Sequence, residues 1–436
     1  MRRAMPTKRL SVVGIGLLLF LAACGSGGGA STPASHTPLT VAVLLPFTGA
    51  DAVFGPTQLG PCRTATGLIN QSGGVLGHTL TCQGFDTKGD PADAVPATEQ
   101  MFASTPNLVM VIGGSSDEAN AIVPIVNQHK MVIVSGAGDA EFNKSSFQYF
   151  YRLIAPDDAA GFAMAYAAVK LDGYKRIALV FGTDTGTQSY VGPATKGIQE
   201  LGGSVVINQA LDPSATSYQT EVTQLLAAKP DVILSEVTPT ADATYFKELK
   251  QLNNGTMLPV IGTINFTYSD WISAVKGAIG VSDLQHLVQA VSVPLTPTGP
   301  AYDAATNYAK VIQKQISGYP DALGFSTFYT FYDFVIMAAL AMNQTNSIVP
   351  SVYNPAIVPI ANGVPGAVDV STYAEGVAAL KQGKKIHYVG AEGVIDFNQY
   401  HNSSSGFQIF NYDTTGQSNI SGAHITEAEI SALENG

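Results

Sequence analysis

The 436-residue sequence predicts an α/β fold built from two similar lobes, each with a parallel sheet flanked by helices. Short apolar, β-branched segments alternate with longer segments of helical periodicity, and this alternation runs along the chain twice. The apolar segments are continuous, as expected for strands that are covered on both faces. About 400 residues follow the N-terminal leader, which exceeds one ordinary domain and is typical of two.

The first residues are typical of an export signal. A positively charged start precedes an apolar run over 10–21 that is too short to span a bilayer. The run ends at Leu21-Ala22-Ala23-Cys24, which resembles a bacterial lipobox, in which the cysteine is acylated and becomes the new N-terminus. The alternative is an ordinary signal peptide with an incidental cysteine. We therefore expect a lipoprotein signal peptide over 1–23 and lipidation of Cys24.

The segment 24–38 is rich in Gly, Ser, Thr, Pro and Ala and has too little apolar content to fold, so it predicts a flexible tether. No later segment has the length and apolarity of a membrane span. The expected location is the extracytoplasmic face of the bacterial cell membrane, held by a lipid anchor on Cys24, because several acyl chains hold a protein firmly.

The charge balance excludes one class of partner. Removal of residues 1–23 takes away four basic residues and no acidic ones, which moves the formal net charge from −11 to −15. A surface this acidic argues against nucleic acid, because phosphates require basic patches.

With Cys24 acylated, Cys62 and Cys82 remain, and in an exported protein such a pair usually forms a disulfide. The closed loop would contribute about 3 kcal/mol to stability. The alternative is two buried thiols.

The first series of elements begins near Pro38. Strands are predicted at 40–45, 80–85, 108–112 and 132–134, and helices at 59–71, 91–104 and 118–128. Because right-handed crossovers place the loops after all these strands at one edge of the sheet, that edge is the predicted ligand site.

The second series follows residue 155. Strands are predicted at 176–181, 204–208, 231–234 and 260–262, and helices at 158–171, 192–201, 218–228 and 241–252. Long helices are expected at 300–317 and 327–343, with an irregular stretch over 344–372. Segments 394–397 and 407–410 are expected to form a closing antiparallel pair.

The first part of the chain contains an ordered series of motifs: Leu45-Pro46-Phe47-Thr48-Gly49, Phe54-Gly55, Ile69-Asn70, Gly73-Gly74-Val75-Leu76-Gly77-His78, Asp86-Thr87 and Asp90-Pro91-Ala92. With this series the chain resembles the type I periplasmic binding proteins, specifically the leucine/isoleucine/valine-binding branch, over about Leu39 to Asp413. In this frame Cys62 on the first helix and Cys82 on the second strand resemble a staple between neighbours.

The resemblance implies two Rossmann-like lobes joined by three hinge crossings, near Ala155, Ala290 and Phe397. Lobe I would comprise 38–155 plus 291–396, lobe II 156–290 plus 397–415, and 416–436 would be a C-terminal tail. It also implies a monomeric substrate-binding subunit of an ABC importer, with a membrane permease as partner. A small polar solute, such as an amino acid, an amide or an organic acid, would bind in the cleft and favour lobe closure.

In lobe I the candidate ligand residues follow two neighbouring strands. Ser115 and Ser116 open a helix, whose backbone N–H groups and dipole suit an anion such as a carboxylate; Ser116 matches the family's ligand serine. The alternative is that both serines merely cap the helix. The loop Ala137-Gly138-Asp139 matches a site that receives a ligand ammonium. Asp139 replaces the usual threonine and can balance a cation, or it is a loop or capping residue.

Lobe II departs from the family's amino-acid binders. Gly186 stands where a ligand-facing tyrosine is usual, Tyr190 is an out-of-register substitute, and Thr238 replaces another tyrosine. Ile264 or Asn265 replaces the family's ammonium-binding acid, and Glu236 is a candidate to serve instead. Phe54 and Tyr329 are candidates for an apolar wall, although such aromatics are more often core.

We expect no catalysis, no cofactor and no metal site. The sequence has no His-Glu-x-x-His, Cys-x-x-Cys, Gly-x-x-x-x-Gly-Lys or Gly-x-Ser-x-Gly motif, and its seven histidines are scattered without metal-ligand spacing. Two alternatives remain open: a sensory receptor subunit that reports ligand to a membrane partner, and a hydrolase on a related fold that would use Ser116.

Overall fold

A computed structural model of the protein describes residues 36–49, 51–52, 54–293, 299–315, 323, 327–403 and 406–435. The expected signal peptide, Cys24 and most of the tether lie outside these residues. The first sheet has five parallel strands in the order β2-β1-β3-β4-β5. They are β1 (Leu39–Leu45), β2 (Leu80–Asp86), β3 (Leu108–Gly113), β4 (Ile133–Ser135) and β5 (Phe150–Arg152). Its first three helices are α1 (Phe54–Gln71), α2 (Pro91–Ser104) and α3 (Ser116–Gln128).

The second sheet begins with five parallel strands. They are β6 (Arg176–Gly182), β7 (Ser204–Leu211), β8 (Val232–Glu236), β9 (Val260–Gly262) and β10 (Val288–Ser292). The helices of this part are α4 (Asp157–Ala165), α5 (Thr185–Ser189), α6 (Val191–Glu200), α7 (Gln219–Ala228), α8 (Pro239–Leu252), α9 (Ser269–Ile279) and α10 (Val281–Leu287). A π-helical segment, Tyr166–Leu171, continues α4.

The chain then returns to the first sheet with four helices and a small two-stranded parallel sheet. They are α11 (Pro300–Gln315), α12 (Thr327–Thr345), α13 (Pro350–Asn362), α14 (Tyr373–Lys381), β11 (Val368–Val370) and β12 (Ile386–Tyr388). Helix α12 packs against α1 and is buried along most of its length, so it forms the centre of the first core. We use lobe I for the part built on the first sheet and lobe II for the part built on the second.

The final elements complete lobe II. Strand β13 (Phe407–Tyr412) pairs antiparallel with β10, and β14 (Ser418–Ile425) pairs antiparallel with β13, giving the order β14-β13-β10-β9-β8-β6-β7. Helix α15 (Glu427–Asn435) then packs on α4 and α6, with Ile430 and Leu433 in the apolar core. The predicted C-terminal tail over 416–436 is therefore wrong for the residues described, because an apolar helix face and a strand edge both find partners in lobe II.

Two further predictions about the last third of the chain are wrong. The segment 394–397 does not pair with 407–410; Val394 bridges Val389 and Phe397 bridges Ser403, while Phe407–Tyr412 takes its partners within the second sheet. The stretch 344–372 is also not irregular, since it contains α13. That helix starts at a proline, where no N–H is needed, and buries an apolar face despite two internal prolines.

The predicted disulfide is present between Cys62 on α1 and Cys82 on β2. We expect Cys62→Ser to lower the melting temperature. A disulfide across a sequence separation of 20 residues reduces the conformational entropy of the unfolded chain, which stabilises the folded protein by about 3 kcal/mol. Thermal unfolding with and without reductant measures this effect. Wild type in reductant should melt like the variant, and equal melting of wild type and variant in oxidising buffer would contradict the prediction.

Candidate functional site

The two lobes meet at the edges where their parallel strands end. The backbone N–H of Thr185, at the start of α5, donates a hydrogen bond to the Asp117 carboxylate on α3, at 3.0 Å. A Cβ built on Gly186 would lie 3.4 Å from the Cβ of Ser116, so the loop after β6 packs directly against the N-terminus of α3. The loops after β3 and β6 therefore contact each other at the interlobe boundary.

Ser116 links two loops of lobe I. Its hydroxyl accepts a hydrogen bond from the backbone N–H of Gly138, at 3.2 Å, and donates one to the Asp139 carboxylate. Ser115 is the N-cap residue of α3, but its hydroxyl bonds to Glu118 rather than to a backbone N–H. The structure thus brings Ser116 and Asp139 together, because β3 and β4 are adjacent parallel strands.

Asp139 is buried and incompletely paired. Its exposed fraction is 2%, and its Oδ2 atom has no hydrogen-bond partner among the described residues. Burial, with the negative charges of Glu141 and Asp117, raises the pKa of Asp139 to about 6, although the bond from Ser116 acts in the opposite direction. A buried carboxylate oxygen without a donor is costly, so this atom is suited to receive a donor from a ligand.

Arg152 holds the loop after β4 through hydrogen bonds to its backbone. Its side chain is fully buried, and one guanidinium nitrogen donates to the carbonyl oxygens of Gly138 and Asp139 at 3.3 and 2.9 Å. The other terminal nitrogen donates to the side-chain oxygen of Asn143. Burial lowers the pKa of Arg152 to about 10, so the group is still charged at neutral pH.

Asp157, the first residue of α4, belongs to this site and was missed by the sequence analysis. Its Oδ2 accepts a hydrogen bond from Ser189 at 2.6 Å, and the Tyr190 hydroxyl also donates to it. Burial raises the pKa of Asp157 to about 7. A Cβ on Gly138 would lie 1.7 Å from Oδ1 of Asp157, so only glycine allows this close approach. Tyr190 itself stacks on Phe181 in the core of lobe II, and its hydroxyl alone reaches the site.

Glu236 ends strand β8, where it is paired with Phe181 of the neighbouring strand β6. Its carboxylate accepts hydrogen bonds from Thr263 and from the side-chain amide of Asn265, the latter at 2.5 Å. Burial, with the charges of Asp157 and Asp184, raises the pKa of Glu236 to about 8. The structure therefore joins two residues that the sequence offered as alternatives, Glu236 and Asn265. Thr238 lies at the N-cap position of α8, two residues beyond Glu236.

The two aromatic candidates do not behave alike. Tyr329 is buried between α11 and α12, where its hydroxyl bonds to Thr306 at 2.7 Å and its ring packs against Tyr302. Tyr329 is therefore a core residue, not a wall of the cleft. Phe54 is half-buried at the start of α1, after the loop that follows β1.

Six carboxylates along the interlobe boundary each interact electrostatically with at least one other of the set, and we name them the cleft carboxylates. They are Asp51, Asp117 and Asp139 from lobe I and Asp157, Asp184 and Glu236 from lobe II. Burial and the charges of Asp117 and Asp184 raise the pKa of Asp51 to about 6. Arg152 is the basic group that acts on this set, and its charge lowers the pKa of Asp157. The site is therefore strongly electronegative.

A separate cavity of about 620 Å³ lies beside the positions where the sequence predicts hinge crossings. It is lined by Leu153, Ala155, Val293, the turn 392–396, Ser403 and the turn between β14 and α15. The predicted hinge position Ala155 therefore borders this cavity. Among the described residues, no cluster of His, Cys, Asp and Glu is arranged to hold a metal ion. Nor does that part of the chain contain a helix long and apolar enough to cross a bilayer.

Comparisons with known proteins agree with this architecture. A curated relative, the Leu/Ile/Val-binding protein BraC3 of Rhizobium johnstonii, is 25% identical over 208 residues, which is 47% of this chain and 56% of that protein. The chain spans about half the length of the curated relatives it matches.

Solved structures match over nearly the whole fold. A branched-chain amino acid ABC transporter protein from Thermus thermophilus with bound valine covers 92% of this chain and all of its own, with a TM-score of 0.73 and 15% identity. An R. palustris solute-binding protein in complex with benzoate covers 89% of this chain and 98% of its own, with a TM-score of 0.68 and 18% identity. These two proteins thus have the same fold and were solved with different ligands. The sequence model of the periplasmic binding protein family matches residues 38–345, and the chain belongs to that family.

Proposed function

We propose that this protein is the extracytoplasmic solute-binding subunit of an ABC importer and that it captures a small polar solute between its lobes. The observation that carries the proposal is the arrangement of Ser116 and Asp139 on lobe I opposite Asp157 and Glu236 on lobe II. A ligand that touches both lobes favours the closed state, because only closure makes both sets of contacts.

The anchoring that we propose follows from the leader. Cys24 would carry the lipid, and the tether to residue 38 would hold the folded body at the outer face of the membrane, within reach of a permease. We keep the lobe limits expected from the sequence, except that β10 extends the first part of lobe II to Ser292 and α15 extends its second part to Asn435. No reaction is proposed, because the cleft would act by binding and release.

The test of the proposal is ligand-dependent stabilisation. Leucine, valine, arginine, putrescine, glutamate and benzoate are added in turn to the purified protein, and the melting temperature is recorded. A true ligand at 100 times its dissociation constant adds about 2.7 kcal/mol of stability. Absence of any shift, together with absence of a co-purified small molecule by mass spectrometry, would contradict a solute-binding role.

Asp139→Asn should weaken binding of the stabilising solute by about tenfold or more, because a charge-assisted hydrogen bond becomes a neutral one. The melting temperature of the empty protein should change little or rise, since a buried charge is removed. Asp303→Asn, on the exposed side of α11, is the matched control and should bind like wild type. Normal binding by the Asp139 variant, measured by calorimetry, would place the ligand elsewhere.

A further inference from the structure

We infer that the solute taken by this cleft carries a net positive charge, as an amine or guanidinium compound, rather than being a zwitterion with a neutral side chain. The inference rests on the proposed function and names its ligand class. It starts from the unequal count of charges along the interlobe boundary, where the cleft carboxylates face Arg152 as their basic neighbour.

The lobe I side offers an unoccupied acceptor. Oδ2 of Asp139 is buried and has no donor among the described residues, while the carboxylate accepts from Ser116 and is acted on by the negative charges of Glu141 and Asp117. Arg152 does not bond to this oxygen, since its two terminal nitrogens donate to the carbonyl oxygens of Gly138 and Asp139 and to Asn143, and its Nε has no partner among the described residues. A ligand ammonium or guanidinium supplies the missing donor and a second positive charge beside Arg152.

The N-terminus of α3, the expected site for a ligand carboxylate, is already surrounded by acids. Asp117 and Glu118 lie in its first turn, and the Ser116 hydroxyl is engaged with Gly138 and Asp139. The Asp117 carboxylate also receives the Thr185 backbone N–H from lobe II. A second anion at this place would be repelled by these charges at short range.

Lobe II adds carboxylates to the same boundary, and none of its described residues adds a positive charge that acts on them. Asp184 caps α5 through Thr187, Asp157 accepts from Ser189, and Glu236 accepts from Asn265. All these partners are neutral donors, so closure brings negative charge toward negative charge. Either the carboxyl groups hold protons in the empty closed protein, or a cation lies between them.

Because the carboxyl groups either hold protons or contact a cation, cation binding is linked to proton release. The groups that face the boundary include the cleft carboxylates, Arg152, and the neighbours that act on them: Asp158, Glu141, Asp242, Tyr190 and Tyr268. Since burial raises the pKa values of Asp139, Asp157 and Glu236, a cation that binds their ionised forms must release protons. Its affinity should therefore rise with pH over the range in which these groups titrate.

The experiment is calorimetry on the whole exported protein with four probes: putrescine, L-arginine, L-leucine and L-glutamate. At about pH 8 we expect putrescine or arginine to bind at least about tenfold more tightly than leucine or glutamate, and to lose about tenfold or more in affinity at about pH 5. Repeating the titration in buffers of different ionisation enthalpy should reveal proton release. Asp139→Asn and Glu236→Gln should each reduce the preference for the cationic probe, and Asp303→Asn should not.

The outcomes separate the two proposals. Tighter binding of leucine or glutamate would overturn the ligand class and leave the solute-binding role standing. In a further titration with calcium chloride, binding of calcium but of neither amine would overturn the proposal of an organic cation. A pH-independent affinity for the amine would remove the cleft carboxylates as its site. If a variant does not fold, the probe preference and the pH dependence of wild type decide the question.

Discussion

Arg152→Met should destabilise the protein by about 3–5 kcal/mol, the range for removing one member of a buried charge network. The substitution leaves the carbonyl oxygens of Gly138 and Asp139 without their donor and removes the positive charge next to Asp157 and Asp158. Methionine fills much of the same volume, so the destabilisation comes chiefly from the lost hydrogen bonds and charge rather than from lost packing. Urea unfolding followed by circular dichroism measures the change.

Arg176→Met is the matched control for this prediction. Arg176 begins β6 on the surface and bonds to the backbone of Ala228 and Lys229, and its loss should cost at most about 1 kcal/mol. The effect at Arg152 should also grow with pH, because the neighbouring Asp157, whose pKa is about 7, becomes charged without its partner. Equal losses in the two variants would show that Arg152 does not organise the loop after β4.

Glu236→Gln should flatten the dependence of stability on pH in the empty protein. Burial raises the pKa of Glu236 from 4.5 to about 8, so folding favours the protonated form. The stabilisation linked to this group is fully present below pH 4.5 and is lost as pH rises through about 8. Between these limits wild type should lose about 2–4 kcal/mol more than the variant, measured by denaturant unfolding at several pH values.

Glu200→Gln, on the exposed end of α6, controls for the loss of a surface carboxylate and should follow the wild-type profile. Asp157 and Asp242, with pKa values raised to about 7 by burial, keep part of the slope in every variant. A Glu236 variant whose stability falls with pH as steeply as that of wild type would contradict a protonated Glu236 in the folded protein.

Much of lobe I could be predicted because its signals are local. The continuous apolar run of β1 and the proline at the start of α2 specify their elements without reference to distant residues. Adjacent parallel strands then place the loops after β3 and β4 together, and Ser116 and Asp139 are in contact. Their ligand roles remain predictions.

The missed features depend on distant partners. Asp157 and Asp158 are adjacent aspartates that the sequence alone does not distinguish. Asp157 is the one that lies in the site, because its carboxylate packs against Gly138. Strand β14 is recognisable only beside β13, and α13 is stable through its buried face despite two prolines. The segment 394–397 is an example of the opposite error. Its local pattern is typical of a strand, but it forms only isolated bridges because it does not lie beside a strand of either large sheet.

The late completion of lobe II bears on how this protein is made. Strand β10 ends at Ser292, and its partner β13 begins only at Phe407, after all the helices of the returning part of lobe I. A chain that leaves the ribosome or an export channel N-terminus first therefore carries an open strand edge until its last residues emerge. Lobe II can therefore mature only after all the elements of lobe I have emerged, so we expect the nascent chain to depend on chaperones that protect this edge.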